Sequence, residues 1–314
     1  MKVYRSFEEI KYDPASVLTV GTFDGVHLGH QKIISELLDT AAKDSLRPVL
    51  LTIHPHPQIV LQKKNRPQVM LLTTIEERLY LFEKYEVENV LVIPFSYEFS
   101  QISGEEFVKD YLHSKVGMKK MLIGYDHMFG KDRSGNIALL EKLSDELDFT
   151  VSRIQAFEDK ERVISSTEIR KAIEDRRIEE VNTMLGHPFL INGEVVHGQG
   201  RAAQLGYPTA NFNNFNPNKI IPGTGVYFVR SKIHGKEYFG MANIGYRPTL
   251  TNDTELTLEV NYFEFNSDIY GETIAVEFLN FLRKEHKFPS VDDLLEQISR
   301  DRAECLKLAE KYKN

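Results

Sequence analysis

Short apolar runs alternate with amphipathic stretches over the first half of the chain. The apolar runs lie at residues 16–20, 48–53, 89–93, 121–124 and 150–154. Their length and β-branched composition are typical of buried strands. Apolar residues recur at helical spacing in the stretches at about 30–43, 74–85, 104–116 and 136–147. This alternation predicts an α/β, Rossmann-like domain in which helices cover both faces of a parallel sheet.

The pattern changes after a pair of predicted helices that ends near residue 185. The pair opens at Ser165, which has Glu168 at capping-box spacing. The strand-like runs that follow lie at residues 189–197, 225–233, 236–243, 255–265 and 273–281. They predict a small antiparallel β-barrel, and an amphipathic stretch from Ser290 predicts one C-terminal helix. We therefore expect two domains, residues 1–186 and 187–314.

Composition and charge narrow the class of protein. The chain has 314 residues, of which 41% are hydrophobic and 27% charged, as in ordinary soluble globular proteins. A net charge of −7 argues against nucleic-acid binding driven by electrostatics. A single cysteine, Cys305, excludes an internal disulfide and favours a reducing compartment. Without an apolar leader or a membrane-length run, we expect a cytoplasmic protein that binds no membrane; its oligomeric state is not predicted.

The strongest candidate site lies between the first strand and the first helix. Residues 21–31 read Gly-Thr-Phe-Asp-Gly-Val-His-Leu-Gly-His-Gln. The N–H groups and dipole of a helix N-terminus bind anions, and the glycines permit close approach of a ligand. His27 and His30 are three residues apart, so they lie on one face of the first turn. Such imidazoles can donate hydrogen bonds to a phosphoryl group during its transfer.

Other interpretations of the two histidines are a helix cap and a metal pair. His54 or His56 would then supply a third ligand, as a zinc site requires. The glycine-flanked position at a strand-to-helix turn favours phosphate chemistry, so no zinc is expected.

Three motifs in this order resemble those of one enzyme family. Residues 21–31 resemble the GxFDGVHxGHQ signature of bacterial FAD synthetases, which are HxGH nucleotidyltransferases. Residues 52–57 resemble their TFxPHP motif, and residues 164–170 resemble their ISSTxIR motif. The resemblance implies adenylylation of FMN by ATP, with FAD and pyrophosphate as products. It implies catalytic roles for His27 and His30. The substrate-binding residues that it implies are Gly21, Phe23, Asp24, Gly29, His56, Asp126, Ser166, Thr167 and Arg170.

The second domain resembles riboflavin kinases. Residues 206–211, Gly-Tyr-Pro-Thr-Ala-Asn, resemble their G-[FY]-P-T-A-N motif, and the residues around Glu259 resemble their LEV segment. A threonine hydroxyl and an asparagine amide oxygen are hard ligands of the kind that Mg²⁺ accepts. The resemblance implies that Thr209 and Asn211 bind Mg²⁺, and that Gly206 and Pro208 contact substrate. It implies that Glu259 is the base that activates the 5′-hydroxyl of riboflavin. From the residues alone, a proline turn and a solvated carboxylate are the alternatives.

Together the two halves predict a bifunctional enzyme of flavin-nucleotide synthesis. Riboflavin and ATP would give FMN in the barrel, and FMN and a second ATP would give FAD in the first domain. Residues 198–205 would cover the ATP phosphates, although residues 202–204 read Ala-Ala-Gln where the family usually has a glycine and a basic residue. In one alternative, the barrel only binds flavin. In another, the first domain adenylylates a different phosphate, such as a pantetheine or nicotinate nucleotide.

Overall fold

The structure is a computed structural model, and it describes most of the chain. The described residues are 1–62, 68–124, 127–155, 158–159, 162–198, 200–213, 215–248 and 254–312. The contacts divide the chain into two compact units, Met1–Ser166 and Thr167–Asn314. The boundary predicted at residue 186 from the sequence stays a prediction.

The first unit is built on a parallel sheet. Its strands are β1 (Lys2–Tyr4), β2 (Ser16–Gly21), β3 (Arg47–His54), β4 (Asn89–Pro94), β5 (Met118–Gly124) and β6 (Thr150–Ile154). In the described part of this unit they form a six-stranded sheet of order β1-β4-β3-β2-β5-β6. The central strands are almost wholly buried, as expected when helices cover both faces. The predicted α/β domain is confirmed. β1 was not predicted, because three residues are too few to show a period.

Helices follow the strands of this sheet. They are α1 (Leu28–Asp44), α2 (Pro57–Val60), α3 (Ile75–Lys84), α4 (Gly104–Glu106) and α5 (Ile137–Leu147). α4 continues as a π-helical segment, Phe107–Val116, and 3₁₀ turns lie at Phe99–Gln101 and Lys131–Arg133. A small hairpin pairs β7 (Glu158–Asp159) with β8 (Arg162–Val163). α3 begins with a capping box between Thr74 and Glu77, which fixes where this helix starts.

The second unit is a closed antiparallel barrel with helices beside it. Two helices precede it, α6 (Ser166–Glu174) and α7 (Ile178–Leu185). The strands are β9 (Phe189–Val196), β10 (Ala210–Asn213), β11 (Gly225–Ile233), β12 (Lys236–Pro248), β13 (Thr254–Tyr262) and β14 (Thr273–Arg283). Their order around the barrel is β10-β13-β12-β11-β14-β9 in the part of the chain that the structure describes. The predicted barrel is therefore confirmed.

Two short elements of the barrel unit add to the prediction. β10 has only four residues and follows a proline turn, so its sequence alone showed no strand pattern. The loop predicted to cover the ATP phosphates contains a short helix, α8 (Arg201–Gln204). Alanine and glutamine are strong helix formers, which accounts for a helical turn at these positions. The predicted C-terminal helix is α9 (Val291–Ala309), and Ser290 caps it by accepting the Asp293 N–H at 3.1 Å.

Across the residues that the structure describes, no helix combines the length and the apolar character required to cross a membrane.

Candidate active sites

A large cavity opens at the carboxyl edge of the parallel sheet. Its volume is about 1060 Å³. It is lined by segments that follow β2, β3, β4 and β5, including Thr22, Pro57, Phe95 and His127. Ligands of open α/β sheets bind at this edge, so the fold itself points to this cavity.

His27 and His30 stack against each other at the wall of this cavity. His27 is the residue that precedes α1, and His30 lies in the first turn of the helix. Their ring centroids are 3.7 Å apart and the ring planes differ by 19°. A Cβ on Gly29 would lie 3.1 Å from Cε1 of the His27 ring, so glycine leaves room for this stacking. The expected placement of both histidines on one face of the helix start is confirmed.

Two phenylalanine rings support the His30 ring, one in contact with it and one behind the first. The ring of Phe23 meets the His30 ring edge-on, with centroids 5.2 Å apart, and Phe82 of α3 packs edge-on against Phe23 at 5.8 Å. A Cβ on Gly21 would approach the Phe23 ring to 3.0 Å. Gly21 and Gly29 therefore serve the packing of the aromatic rings, a role that the sequence did not reveal.

The surroundings of His30 keep its imidazole neutral. Its Nδ1 is shielded from solvent and has no hydrogen-bond partner among the described residues. Burial lowers the pKa of His30 well below its usual value, and the charges of His27 and Arg78 act in the same direction. At neutral pH this ring therefore contributes hydrogen bonding rather than positive charge.

Asp24 ties the glycine-rich turn to the segment that enters α3. Its carboxylate is buried and accepts hydrogen bonds from the N–H groups of Leu72, at 3.1 Å, and Thr73, at 2.9 Å. The Gly25 N–H donates in return to the Thr73 hydroxyl at 2.9 Å. Asp24 thus holds the turn in place, and its predicted contact with substrate stays a prediction.

The structure brings only some of the other predicted residues to the cavity. Ser166 lines it and donates from its hydroxyl to the Asp24 carbonyl at 3.2 Å. His56 is buried behind the lining and caps α2 by accepting the Gln58 N–H at 3.2 Å. Thr167 and Arg170 belong to the second unit. Asp126 lies outside the described residues.

Two cations at the cavity were missed by sequence reasoning. Lys131 and Arg133 line it from the loop after β5. The loop is fixed because the Lys131 N–H donates to the Ile102 carbonyl at 2.8 Å and Phe129 bridges to Gly135. The sequence did contain a signal for these cations: two basic residues in a loop that follows a strand and is bounded by glycines. Asp132 lines the cavity between the two cations, so this part of the rim carries a net positive charge, which suits a polyphosphate.

A second, smaller cavity of about 290 Å³ lies in the barrel unit. Thr209, Glu259 and Asn261 line it together with residues of β12, β14 and α9. The Thr209 hydroxyl lies 3.4 Å from Oε2 of Glu259. Gly206 and Pro208 flank the lining residue Tyr207, and the Pro208 carbonyl accepts a hydrogen bond from Asn261 at 2.7 Å. Gly206 has φ of +85°, which glycine adopts without strain.

Strand register places Glu259 at the centre of a polar row. Asn211 of β10 and Asn243 of β12 both lie directly opposite Glu259 of β13. Directly opposite residues share one face of a sheet, so the row presents a carboxylate between two amides. A Cβ on Gly198 would lie 2.2 Å from Nδ2 of Asn211, so glycine leaves room for that amide.

The donor set of this row fits a hard divalent cation. Hydroxyl, amide and carboxylate oxygens come together at Thr209, Asn211 and Glu259. Mg²⁺ prefers such oxygen ligands and is usually shared with substrate phosphates. Among the described residues there is no cluster of three or more His, Cys, Asp or Glu side chains that would form a metal site without the substrate.

A partly buried ion pair lines the barrel cavity and was not predicted. The Arg283 guanidinium on β14 bonds both carboxylate oxygens of Asp301 on α9, at 2.8 to 3.1 Å. Asn243 also donates to Glu285 at 3.2 Å. These pairs join residues that are distant in sequence, so only the folded barrel reveals them.

Comparisons with known proteins match both units. A family model described as FAD synthetase matches residues 9–168, and one described as riboflavin kinase matches residues 185–309. The chain is 38% identical to a bifunctional riboflavin kinase/FMN adenylyltransferase of Buchnera aphidicola subsp. Schizaphis graminum, covering 100% of this chain and 99% of that protein. It is 34% identical to the protein of that name from Bacillus subtilis, covering 93% and 92%.

One solved structure has the same fold over nearly its whole length. It is described as a macrolide-efflux protein from Streptococcus pneumoniae, with a TM-score of 0.84 and 34% identity over 96% of this chain and 97% of its own.

The first family model therefore covers most of the first unit, and the second covers most of the second unit. ATP-dependent enzymes of both types use a divalent metal ion. The chain belongs to the bifunctional riboflavin kinase/FMN adenylyltransferase family, which converts riboflavin to FMN and FMN to FAD.

Proposed function

We propose that the two cavities are the two active sites, with the barrel cavity forming FMN and the sheet-edge cavity forming FAD. The observation that carries this proposal is that the two cavities are lined by side chains suited to different reactions. A carboxylate beside hydroxyl and amide oxygens lies in the barrel, and stacked imidazoles with a basic rim lie at the sheet edge. The first set suits activation of a hydroxyl, and the second suits a transferring phosphoryl group.

In the barrel, Glu259 takes the proton of the riboflavin 5′-hydroxyl as its oxygen attacks the γ-phosphorus of ATP. The bond from the γ-phosphorus to the β,γ-bridging oxygen breaks, and ADP leaves. Thr209 and Asn211 would hold Mg²⁺, which when bound would neutralise charge on the phosphates. Gly206 and Pro208 shape the turn that presents Thr209.

At the sheet edge, a phosphate oxygen of FMN attacks the α-phosphorus of ATP. The bond to the bridging oxygen breaks and pyrophosphate leaves, so no protein nucleophile is required. His27 and His30 donate hydrogen bonds to the α-phosphate and the leaving group. Gly21, Phe23, Asp24 and Gly29 shape the turn beneath them and, with His56, contact the substrates. Ser166, Thr167 and Arg170 bind the triphosphate, and Asp126 contacts the flavin or the adenine.

The setting of these reactions is part of the proposal. The single cysteine and the acidic balance support a cytoplasmic enzyme whose partners are riboflavin, FMN, ATP, FAD and pyrophosphate.

Separate quantification of FMN and FAD from riboflavin and MgATP tests the assignment. The chain is expected to form FMN first and FAD later, with pyrophosphate released in proportion to FAD. Removal of divalent cations with EDTA should stop both reactions, and added Mg²⁺ should restore them. Adenylylation of a pantetheine or nicotinate nucleotide in place of FMN would contradict the assignment of the sheet-edge cavity.

A further inference from the structure

Arg78 of α3 is buried completely, yet most of its guanidinium makes no hydrogen bond. It is 0% exposed. Only Nη1 donates, to the Thr22 carbonyl, to the Thr52 hydroxyl at 3.1 Å and to the Ile53 carbonyl at 3.3 Å. Nε and Nη2 have no hydrogen-bond partner among the described residues. A buried arginine with two unused nitrogens is costly to stability, so its presence calls for a functional reason.

The partners of Arg78 lie in the segments that build the sheet-edge cavity. Thr22 follows β2, and Thr52 and Ile53 lie near the carboxyl end of β3. The Thr52 hydroxyl also donates to the Thr22 carbonyl at 3.2 Å, so two donors hold this one carbonyl. The residue after Thr22 is Phe23, whose ring supports His30.

The face of α3 that carries Arg78 also supports the ring of Phe23. Arg78 and Phe82 are four residues apart on α3, so they lie on one face. Arg78 bonds the backbone before Phe23, and Phe82 packs on the Phe23 ring. Phe23 has φ of 49°, a backbone conformation that a bulky residue adopts only when its surroundings impose it.

We propose that Arg78 is a positioning residue for adenylyl transfer, which fixes the turn at Thr22 and Phe23 and thereby holds the His30 imidazole at the cavity. It contacts no substrate itself, because it is fully buried and is not among the residues that line the cavity. The inference rests on the proposed role of His30.

The charge of Arg78 also bears on His30. The charged or titratable groups that act on His30 are His27 and Arg78, and both lower its pKa. Asp24, Glu76 and Glu77 in turn favour the charged form of Arg78. Loss of the guanidinium charge should therefore raise the pKa of His30.

Three variants of the full chain test the proposal. Arg78→Met removes both the hydrogen bonds and the charge, whereas Arg78→Lys keeps the charge and a single donor group. Arg47→Met is the matched control: Arg47 bonds Ser16, Lys11 and Val116 near the opposite, amino end of β2 and β3. Circular dichroism and thermal unfolding of each variant report on the integrity of the first unit, and riboflavin kinase activity reports on that of the second.

For Arg78→Met we expect kcat of FAD formation from FMN to fall about 100-fold, the effect of a misplaced catalytic group. KM should change less, and FMN formation should stay within twofold. Arg78→Lys should retain an intermediate kcat, and Arg47→Met should keep kcat within twofold. In an NMR titration of labelled histidines, His30 should titrate at higher pH in Arg78→Met than in the parent, and close to the parent in Arg78→Lys.

Two results would overturn the proposal: kcat within twofold of the parent in Arg78→Met, or an equal loss of both activities. If Arg78→Met does not fold, Arg78→Lys decides, and a kcat equal to that of Arg47→Met contradicts the proposal. If His30→Asn leaves FAD formation intact, the proposed role of His30 fails, whatever the Arg78 variants show.

Discussion

The two candidate sites are built by different physical means. In the barrel, Glu259 is placed by strand register, since hydrogen-bonded neighbours on both sides fix which residues share its face. At the sheet edge, His30 is placed by packing, with Gly29, Phe23 and α3 behind it. The register of a closed barrel is rigid because a slip by one residue moves every side chain to the other face. A site held by packing depends instead on many small contacts, so substitutions outside the cavity disturb its geometry more readily.

Among these variants, Glu259→Gln should have the largest effect on reaction rate. The effect should be confined to FMN formation in the barrel. A general base contributes about 10²- to 10⁴-fold, so FMN formation should fall by at least about 10²-fold. FAD formation from added FMN should stay within twofold. Glu237→Gln, an exposed carboxylate on β12, is the matched control and should leave both rates unchanged. Equal loss of both reactions in Glu259→Gln would mean that the barrel cavity is not a separate site.

His30→Asn is the corresponding test of the sheet-edge cavity and should reduce FAD formation only. Loss of one donor to a transferring phosphoryl group costs about 10²- to 10³-fold, so FAD formation from FMN should fall by that factor. FMN formation from riboflavin should be unchanged, as measured by separating the two flavin nucleotides. His113→Asn, in the π-helical segment, serves as the control. A normal rate of FAD formation in His30→Asn would rule out the proposed hydrogen bond.

Two glycine substitutions sharpen the contrast between register and packing. Gly198→Ala would bring a Cβ to 2.2 Å from the Asn211 amide, and Gly29→Ala would bring one to 3.1 Å from the His27 ring. The first displaces one side chain of the polar row, so FMN formation should fall about 10-fold. The second tilts the stacked rings, and FAD formation should fall by a smaller factor. Each variant controls for the other, and loss of the wrong activity in either would contradict the assignment.

The pH dependence of stability gives the smallest effect. The pKa of His30 is lowered in the folded chain, so below about pH 6.5 the unfolded chain binds a proton that the folded one does not. Stability should therefore fall as the pH drops below 6.5, by at most about 1.4 kcal/mol per pH unit for this group. His30→Asn should flatten this slope in urea unfolding between pH 5 and 7, and His113→Asn should not. An unchanged slope in His30→Asn would contradict the burial of a neutral ring.

The sequence predicted the architecture well because periodicity and turn residues are local. It placed the strand before Gly21, the helix that carries His30, and the helix start at Ser290. It also predicted the strand that carries Glu259. β1 and β10 were not predicted, because three or four residues are too few to show an alternation of apolar and polar positions.

The sequence could not predict contacts between distant segments. Arg78 lies 56 residues from Thr22, and nothing local in α3 marks it as a partner of the glycine-rich turn. Asn243 joins Glu259 only through the register of β12 and β13. These features depend on tertiary packing, which one sequence without a structure does not determine.

A mixing experiment tests the central claim, that one chain carries two separable sites. Glu259→Gln and His30→Asn chains are incubated, singly and together, with riboflavin and MgATP, and FMN and FAD are quantified over time. The account predicts at most a few per cent of the parent's rate of FMN and FAD formation from Glu259→Gln alone, FMN with little FAD from His30→Asn alone, and FAD at a much higher rate from the mixture. Absence of FAD from the mixture, under conditions in which Glu259→Gln converts added FMN, would contradict it.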